Sequence, residues 1–250
     1  KALAALVSGE ARARWARHPK EIVPFEEAVL PRAPFPPDSR ELSGGAWRVV
    51  VHGDEAAWPA ASPMFERRKY LAPGPALHRF VGLGAHGRAA QARAEALAEA
   101  GFGPPVLGWR QGFLALRWVE GRPLVAGEAD GAFLRWAGHY LAHLARRFRT
   151  GASVRPEALL EMMQANIAEG LGEPDGLAGI GRHLESFGAV PEVALDARAL
   201  PHEWLATESG FVKIDHTDHH ADHFYPGPAD IAWDVAGLGA ELDLPHAARA

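Results

Sequence analysis

The sequence predicts an α+β chain of two lobes, and three features of its layout carry that prediction. Strand-like runs gather in the first half, at Trp47–His52, Arg68–Leu71, Ala76–Val81, Val106–Trp109 and Gly112–Val119, parted by Gly/Pro turns. Helical spacing dominates the second half. A short linker, Glu120-Gly121-Arg122-Pro123, separates the two regimes. Strands followed by helices, without βαβ alternation, give an α+β arrangement. The limits this implies are a terminal helix and Pro-rich arm over residues 1–39, a small β-rich lobe over 40–118 and a helical lobe over 119–250.

Each element has its own signal. Residues Ala2–Arg17 are rich in Ala and Arg at helical spacing. Val23–Gly45 carries Pro24, Pro31, Pro34, Pro36 and Pro37 and reads as an extended arm. Arg88–Ala100 is the clearest helix of the first half, Ala-rich and ended by Gly101. Pro104-Pro105 forces an extended start to the strand at Val106. Ala129–Arg149 is a long amphipathic helix with Phe133, Trp136, Ala137, Tyr140, Leu141 and Leu144 on one side. Helical segments at Pro156–Glu169 and Leu177–Phe187 follow, and no internal repeat is visible.

The totals narrow the function classes. With 250 residues, 48% apolar and 23% charged, the chain can bury a full core. A net charge of −5 argues against nucleic-acid or anionic-membrane partners. The basic runs Arg12–Lys20 and Arg146–Arg149 read as solvated helix faces. Without a cysteine there is no disulfide, thiolate metal site or cysteine nucleophile. No apolar run approaches the roughly 20 residues that span a bilayer, and no signal peptide opens the chain, so a cytoplasmic location is expected.

Chemistry concentrates in Leu195–Gly237. A polar loop ends in His202-Glu203-Trp204-Leu205, an apolar strand Phe211–Ile214 delivers Asp215, and a Gly/Pro break precedes a helix opening with Asp230. A loop carboxylate and a strand-tip carboxylate, twelve residues apart, suit a divalent metal held on a nucleotide. This layout resembles the catalytic end of the aminoglycoside phosphotransferase and choline kinase group, within the protein-kinase-like fold. The group's loop reads roughly H-G-D-x-x-x-x-N, followed by a strand pair and a magnesium-binding aspartate. By that resemblance Asp215 is the metal aspartate and Glu203 stands at the metal-binding asparagine, as an oxygen ligand still suited to magnesium. Asp230 resembles the structural aspartate that steadies the loop. The loop departs from the pattern at the base: five residues before Glu203 stands Arg198, and the nearest carboxylate is Asp196. Either the loop is rebuilt so that Asp196 reaches the acceptor, or there is no base of the family's type and Arg198 binds phosphate through its planar fork.

The resemblance extends upstream. AGFGPPVLGW (Ala100–Trp109) resembles the group's helix-to-strand joint, and LRWVEGRPL (Leu116–Leu124) resembles its hinge. This implies that Trp118, Val119 and Glu120 line an adenine pocket. It also implies that Arg79 grips phosphates with Glu95 as its helix partner, Lys69 being the alternative cation. The implied activity is transfer of the γ-phosphoryl of ATP or GTP, with Mg2+, to a small hydroxylated acceptor. The competing implication is a non-catalytic module that binds nucleotide or a partner protein.

Three other motifs take their meaning from their surroundings. His52-Gly53-Asp54 has Pro59 five residues beyond its aspartate, which offers no ligand, and reads as a hairpin turn. Gly82-Leu-Gly84-Ala-His-Gly87 lies between a strand and a helix, the setting of an NADP-binding fingerprint with Arg110 as phosphate partner. Pro104-Pro105 and the lack of further βαβ units oppose that reading. Asp215–His223 holds four histidines and three aspartates, a pattern that suits zinc. Only His246 remains downstream, however, so the site of metallo-β-lactamase-like hydrolases cannot be completed, and a smaller His-rich metal site or a polar loop without ligand is left. No serine makes G-x-S-x-G. Trp204 and Trp233 are expected to pack beneath the proposed site.

Overall fold

A computed structural model describes residues 25–61, 66–172, 189–221 and 227–244. The helices expected at Ala2–Arg17 and Leu177–Phe187 lie outside them. The chain divides into two compact units, Lys1–Pro123 with Trp204–Thr217 and Leu124–Glu203 with Asp218–Ala250.

The first unit is organised by an antiparallel sheet of β1 (Arg40–Glu41), β2 (Lys69–Leu71), β3 (Ala76–Phe80), β4 (Val106–Arg110) and β5 (Phe113–Arg117), ordered β1-β2-β3-β5-β4. Side-chain alternation along the strands sorts its two faces. In the β3–β5 register Leu77 faces Leu116 and Arg79 faces Leu114, while His78 faces Ala115 and Phe80 faces Phe113. Leu114 and Leu116 pack with Val81, Ala90 and Ala94. Ala90 and Ala94 belong to helix α3 (Gly84–Glu99), which therefore covers the Arg79 face. The opposite face, with Tyr70 and Phe113, receives Phe25, Val29, Leu30 and Phe35.

That second contact corrects the reading of an extended arm. The Pro-rich stretch contains the helix α1 (Phe25–Ala28) and a 3-10 turn at Leu30–Arg32, and its aromatics close the sheet. Phe35 stacks on Tyr70 at 4.6 Å and meets Phe113 edge-on at 5.0 Å. Phe25 and Phe35 are half-buried, so each contributes about 1–2 kcal/mol, a part of what full burial gives, towards folding a proline-punctuated segment onto a core. The strand expected at Trp47–His52 is instead a single helical turn, α2 (Arg48–Val51). Side-chain bonds override the strand preference of three consecutive valine-rich positions: Trp47 Nε1 donates to Glu66 Oε1 (2.8 Å), and Arg48 Nε donates to Gly45 O (3.0 Å). His52 ends that turn and Asp54 caps the next one, so His52-Gly53-Asp54 joins two helical turns rather than two strands.

The sheet order also removes the dinucleotide reading. β3 and β4 are separated by β5 and pair antiparallel with it, so the glycine string does not open a parallel βαβ unit. Gly87 has a packing role: a Cβ there would stand 2.0 Å from Gly82 O and 2.7 Å from the Trp109 ring. A second antiparallel sheet in this unit joins β6 (Arg122–Pro123), β9 (Trp204–Thr207) and β10 (Gly210–Lys213) in the order β10-β9-β6.

The second unit is mainly helical. Helix α4 (Gly131–Arg147) is capped by Asp130, whose Oδ1 accepts from Phe133 N at 2.8 Å. It buries Phe133, Ala137, Tyr140, Leu141 and Leu144, the spacing of one apolar stripe. The hairpin of β7 (Arg149–Ser153) and β8 (Pro191–Val193) follows, with α5 (Pro156–Leu171) between its strands and α6 (Ala232–Glu241) near the end. Val193, Leu195, Ala197 and Ala229 form a small core with Phe148 and Ile231, which seats the loop after β8. Among the described residues no helix is long and apolar enough to cross a membrane.

Candidate active site

In the first unit the β9–β10 ladder ends at the Lys213–Trp204 pair, and Asp215 follows two residues later in a bend. Arg79 Nη1 forms an ion pair with Asp215 Oδ1. Strand alternation aims Arg79 to the α3 face, which explains how a mid-strand arginine reaches a residue 136 positions away. The Arg79 side chain is 7% exposed and that of Asp215 17%. Burying a guanidinium costs desolvation, and a charge-assisted bond to a carboxylate offsets it.

The other nucleotide-side residues are placed as follows. Glu95 lies half-buried on α3, where its Oε1 accepts from Gln91 Nε2 at 2.7 Å. The α3 residue that reaches the Asp215 segment is the buried Arg93, whose Nε donates to His216 O at 2.8 Å. No sequence signal singled it out, since it reads as one more arginine on an Ala-rich helix. Lys69 sits by Glu66 at 3.4 Å, with its ammonium 5.6 Å from the Trp47 ring. Trp118, Val119 and Glu120 form the stretch between β5 and β6: the first two are half-buried, Glu120 is exposed, and Trp118 N donates to Pro75 O at 2.7 Å.

In the second unit the loop after β8 carries Asp196, Arg198 and Glu203. One carboxylate holds its start: Asp234 on α6 accepts from Asp196 N (2.9 Å, Oδ2) and Ala197 N (2.8 Å, Oδ1). This corrects the role given to Asp230, whose Oδ1 accepts from Ala232 N at the opening of α6 (3.0 Å). The two aspartates are one helical turn apart, and only the helix's orientation decides which meets the loop. Ala197, at the glycine place of the H-G-D pattern, is held at φ +66°, a left-handed conformation that costs an alanine about 1–2 kcal/mol.

Asp196 is 3% exposed. Tyr140 OH donates to its Oδ2 at 2.6 Å, and His219 Nδ1 lies 3.3 Å from Oδ1 and 3.2 Å from its carbonyl oxygen. Arg198 Nη2 pairs with Glu203 Oε1. In the histidine-rich stretch His216, Asp218 and His219 are buried, while Asp222 and His223 lie outside the described residues. Trp204 is buried as expected, but Trp233 is 40% exposed. Burial also lowers the imidazoles of His78 and His52 below their usual pKa.

No protein-family model matches the chain, and no curated protein matches it. Solved structures do. Choline kinase LicA from Streptococcus pneumoniae aligns with a TM-score of 0.51 at 14% identity, over 73% of this chain and 68% of that one. LicA in complex with AMP aligns with a TM-score of 0.50, also at 14% identity, over 74% and 67%. Macrolide 2'-phosphotransferase MphH from Brachybacterium faecium aligns with a TM-score of 0.48 at 16% identity, over 74% and 73%. The chain thus spans roughly two thirds to three quarters of these neighbours' lengths, and the neighbours are small-molecule phosphotransferases.

Proposed function

We propose that this chain, which has the protein-kinase-like fold of the choline kinase and aminoglycoside phosphotransferase group, binds ATP or GTP with magnesium and transfers the γ-phosphoryl group to the hydroxyl of a small acceptor. The observation that carries the reading is the Arg79–Asp215 pair. It sets a strand-borne guanidinium against a carboxylate at the end of a hairpin, and phosphoryl transfer depends chiefly on such positioned charges.

Asp215 is an oxygen donor partly open to solvent, the donor chemistry magnesium requires, and Glu203 enters as the second carboxylate through its place in the motif. Bound there, magnesium would neutralise charge on the β- and γ-phosphates. Arg79, with Glu95 on α3 as its helix partner, would grip phosphate oxygens through its fork, and Trp118, Val119 and Glu120 would line the adenine pocket beside β5. In the reaction the acceptor oxygen bonds to the γ-phosphorus as the bond to the β–γ bridging oxygen breaks. The nucleoside diphosphate departs, and the acceptor's proton passes to solvent. Arg198 has no acceptor site for that proton, so its role is to stabilise charge on the transferring group. Asp196, turned to Tyr140 and His219, orients the loop that presents Arg198.

A second reading rests on the same loop. Arg198 at the base position, already paired with Glu203, suits a kinase-like module that binds nucleotide without transferring phosphate. Single-turnover incubation with γ-labelled ATP, magnesium and a panel of hydroxylated small molecules separates the two. Labelled product supports transfer, nucleotide bound without product supports the module, and no magnesium-dependent binding of ATP or GTP removes both. Nucleotide at 100 times its dissociation constant should stabilise the fold by about 2.7 kcal/mol, which a thermal melt detects.

A further inference from the structure

Lys213 is fully buried at 0% exposure, an unusual place for a lysine, and nothing in the proposed reaction uses it. Its ammonium lies 5.1 Å from the centroid of the Trp204 ring, its cross-strand partner, and donates to the backbone oxygen of Asp215. The next carbonyl, that of His216, accepts from Arg93 Nε at 2.8 Å. Two buried cations thus hold two consecutive carbonyls just where the β9–β10 ladder has ended.

The segment is tied to the end of α3 by two further contacts. Lys213 N donates to Phe102 O at 2.8 Å. The His216 ring occupies the space over Gly103, where a Cβ would stand 2.4 Å from Nε2 and force the ring to move. A neutral donor could satisfy either carbonyl. A buried ammonium and a buried guanidinium are costly ways to do so, and what they add is a stronger bond and local positive charge.

We propose that Lys213 and Arg93 are positioning residues that fix the Asp215–His216 backbone against α3 and so aim the Asp215 carboxylate. The functional consequence rests on the reading of Asp215 as the magnesium aspartate; the fixing itself does not. Lys213→Met and Arg93→Met remove the donors while keeping bulk, and Arg93→Lys keeps a cation. Each Met variant leaves one carbonyl without its donor and should melt a few degrees lower while still folding cooperatively, so its exchange can be compared with the parent's.

Hydrogen exchange reads the clamp directly. The amides of residues 214–217 should exchange about tenfold faster in both Met variants, with β9–β10 amides still protected and Arg93→Lys close to the parent. Unchanged exchange at 214–217 overturns the proposal, and so does equal acceleration across the hairpin, which would mark an ordinary structural role. Titration with ATP, with and without magnesium, reads the consequence. If the parent binds ATP in a magnesium-dependent way, the Met variants should lose about tenfold in affinity with magnesium and far less without it; equal affinities overturn the aiming role. If the parent shows no such binding, the proposed function fails, and hydrogen exchange still decides the clamp.

Discussion

The Asp215 segment and the Asp196–Glu203 loop each pair an arginine with a carboxylate, but with opposite exposure. In Arg79–Asp215 the cation is the more buried partner, 7% exposed against 17%. In Arg198–Glu203 the acid is buried at 4% and the arginine stands out at 26%. An ion pair presents the charge of its exposed member. The first pair therefore offers a carboxylate, which suits a cation, and the second offers a guanidinium, which suits an anion. In the function proposed above, that guanidinium would bind phosphate at the place where the resemblance expects a proton acceptor.

The largest expected effect breaks the first half of that comparison. Asp215→Ala should abolish magnesium-dependent ATP binding, a loss of about a hundredfold or more by calorimetry. Unchanged affinity would sink the metal assignment.

Next comes the anchor of the loop. Asp234→Ala leaves two buried amides without their acceptor and should cost about 2–4 kcal/mol in urea unfolding. Asp230→Ala removes only a local bond at an exposed helix start and should cost about 1 kcal/mol or less. Equal losses would mean that Asp234 does not hold the loop.

Arg198→Met is a finer probe. Glu203 loses one charged partner, with a cost of about 1–2 kcal/mol because the arginine is partly solvated. If Arg198 stabilises the transferring group, the single-turnover rate should also fall by about 10- to 100-fold. A rate equal to the parent's would leave the arginine with a purely structural role.

The smallest effect is a pH dependence. His78 packs against Phe35 on the sheet's arm face, and burial lowers its pKa from the ordinary value of 6.5. The folded state then binds fewer protons than the unfolded state below that value, so stability present above pH 6.5 is lost as pH falls towards the depressed pKa. His78→Phe should flatten the melting temperature over that window. An unaltered slope would assign the acid sensitivity to other groups.

Much of the fold could be read from local pattern. β2, β3, β4, β5, α3, α4 and α5 follow from alternation, helical spacing and Gly/Pro punctuation, because each is dominated by its own residues' preferences. Trp47–His52 could not be read that way: its valines favour a strand, and bonds to Glu66 and Gly45 made it a turn. The aromatic arm misled for a related reason, since prolines disguise a segment whose phenylalanines pack against the core. In the site region, Arg79 on a strand and Asp215 beyond a strand end were legible as positions. Their pairing was not, nor were Arg93, Lys213 and Asp234, whose roles arise from partners between 2 and 123 residues away.

The sequence by itself determined an α+β order, a cysteine-free acidic chain and a loop with Arg198 in place of a carboxylate, because these depend on composition, short-range periodicity and counting. Tertiary structure alone decided which charged residues are buried and whom they meet. Burial turns Lys213 from a surface charge into a backbone clamp and draws Asp196 towards Tyr140. It also gives the loop to Asp234 rather than Asp230, since a buried polar group must find a partner and only packing determines which is within reach.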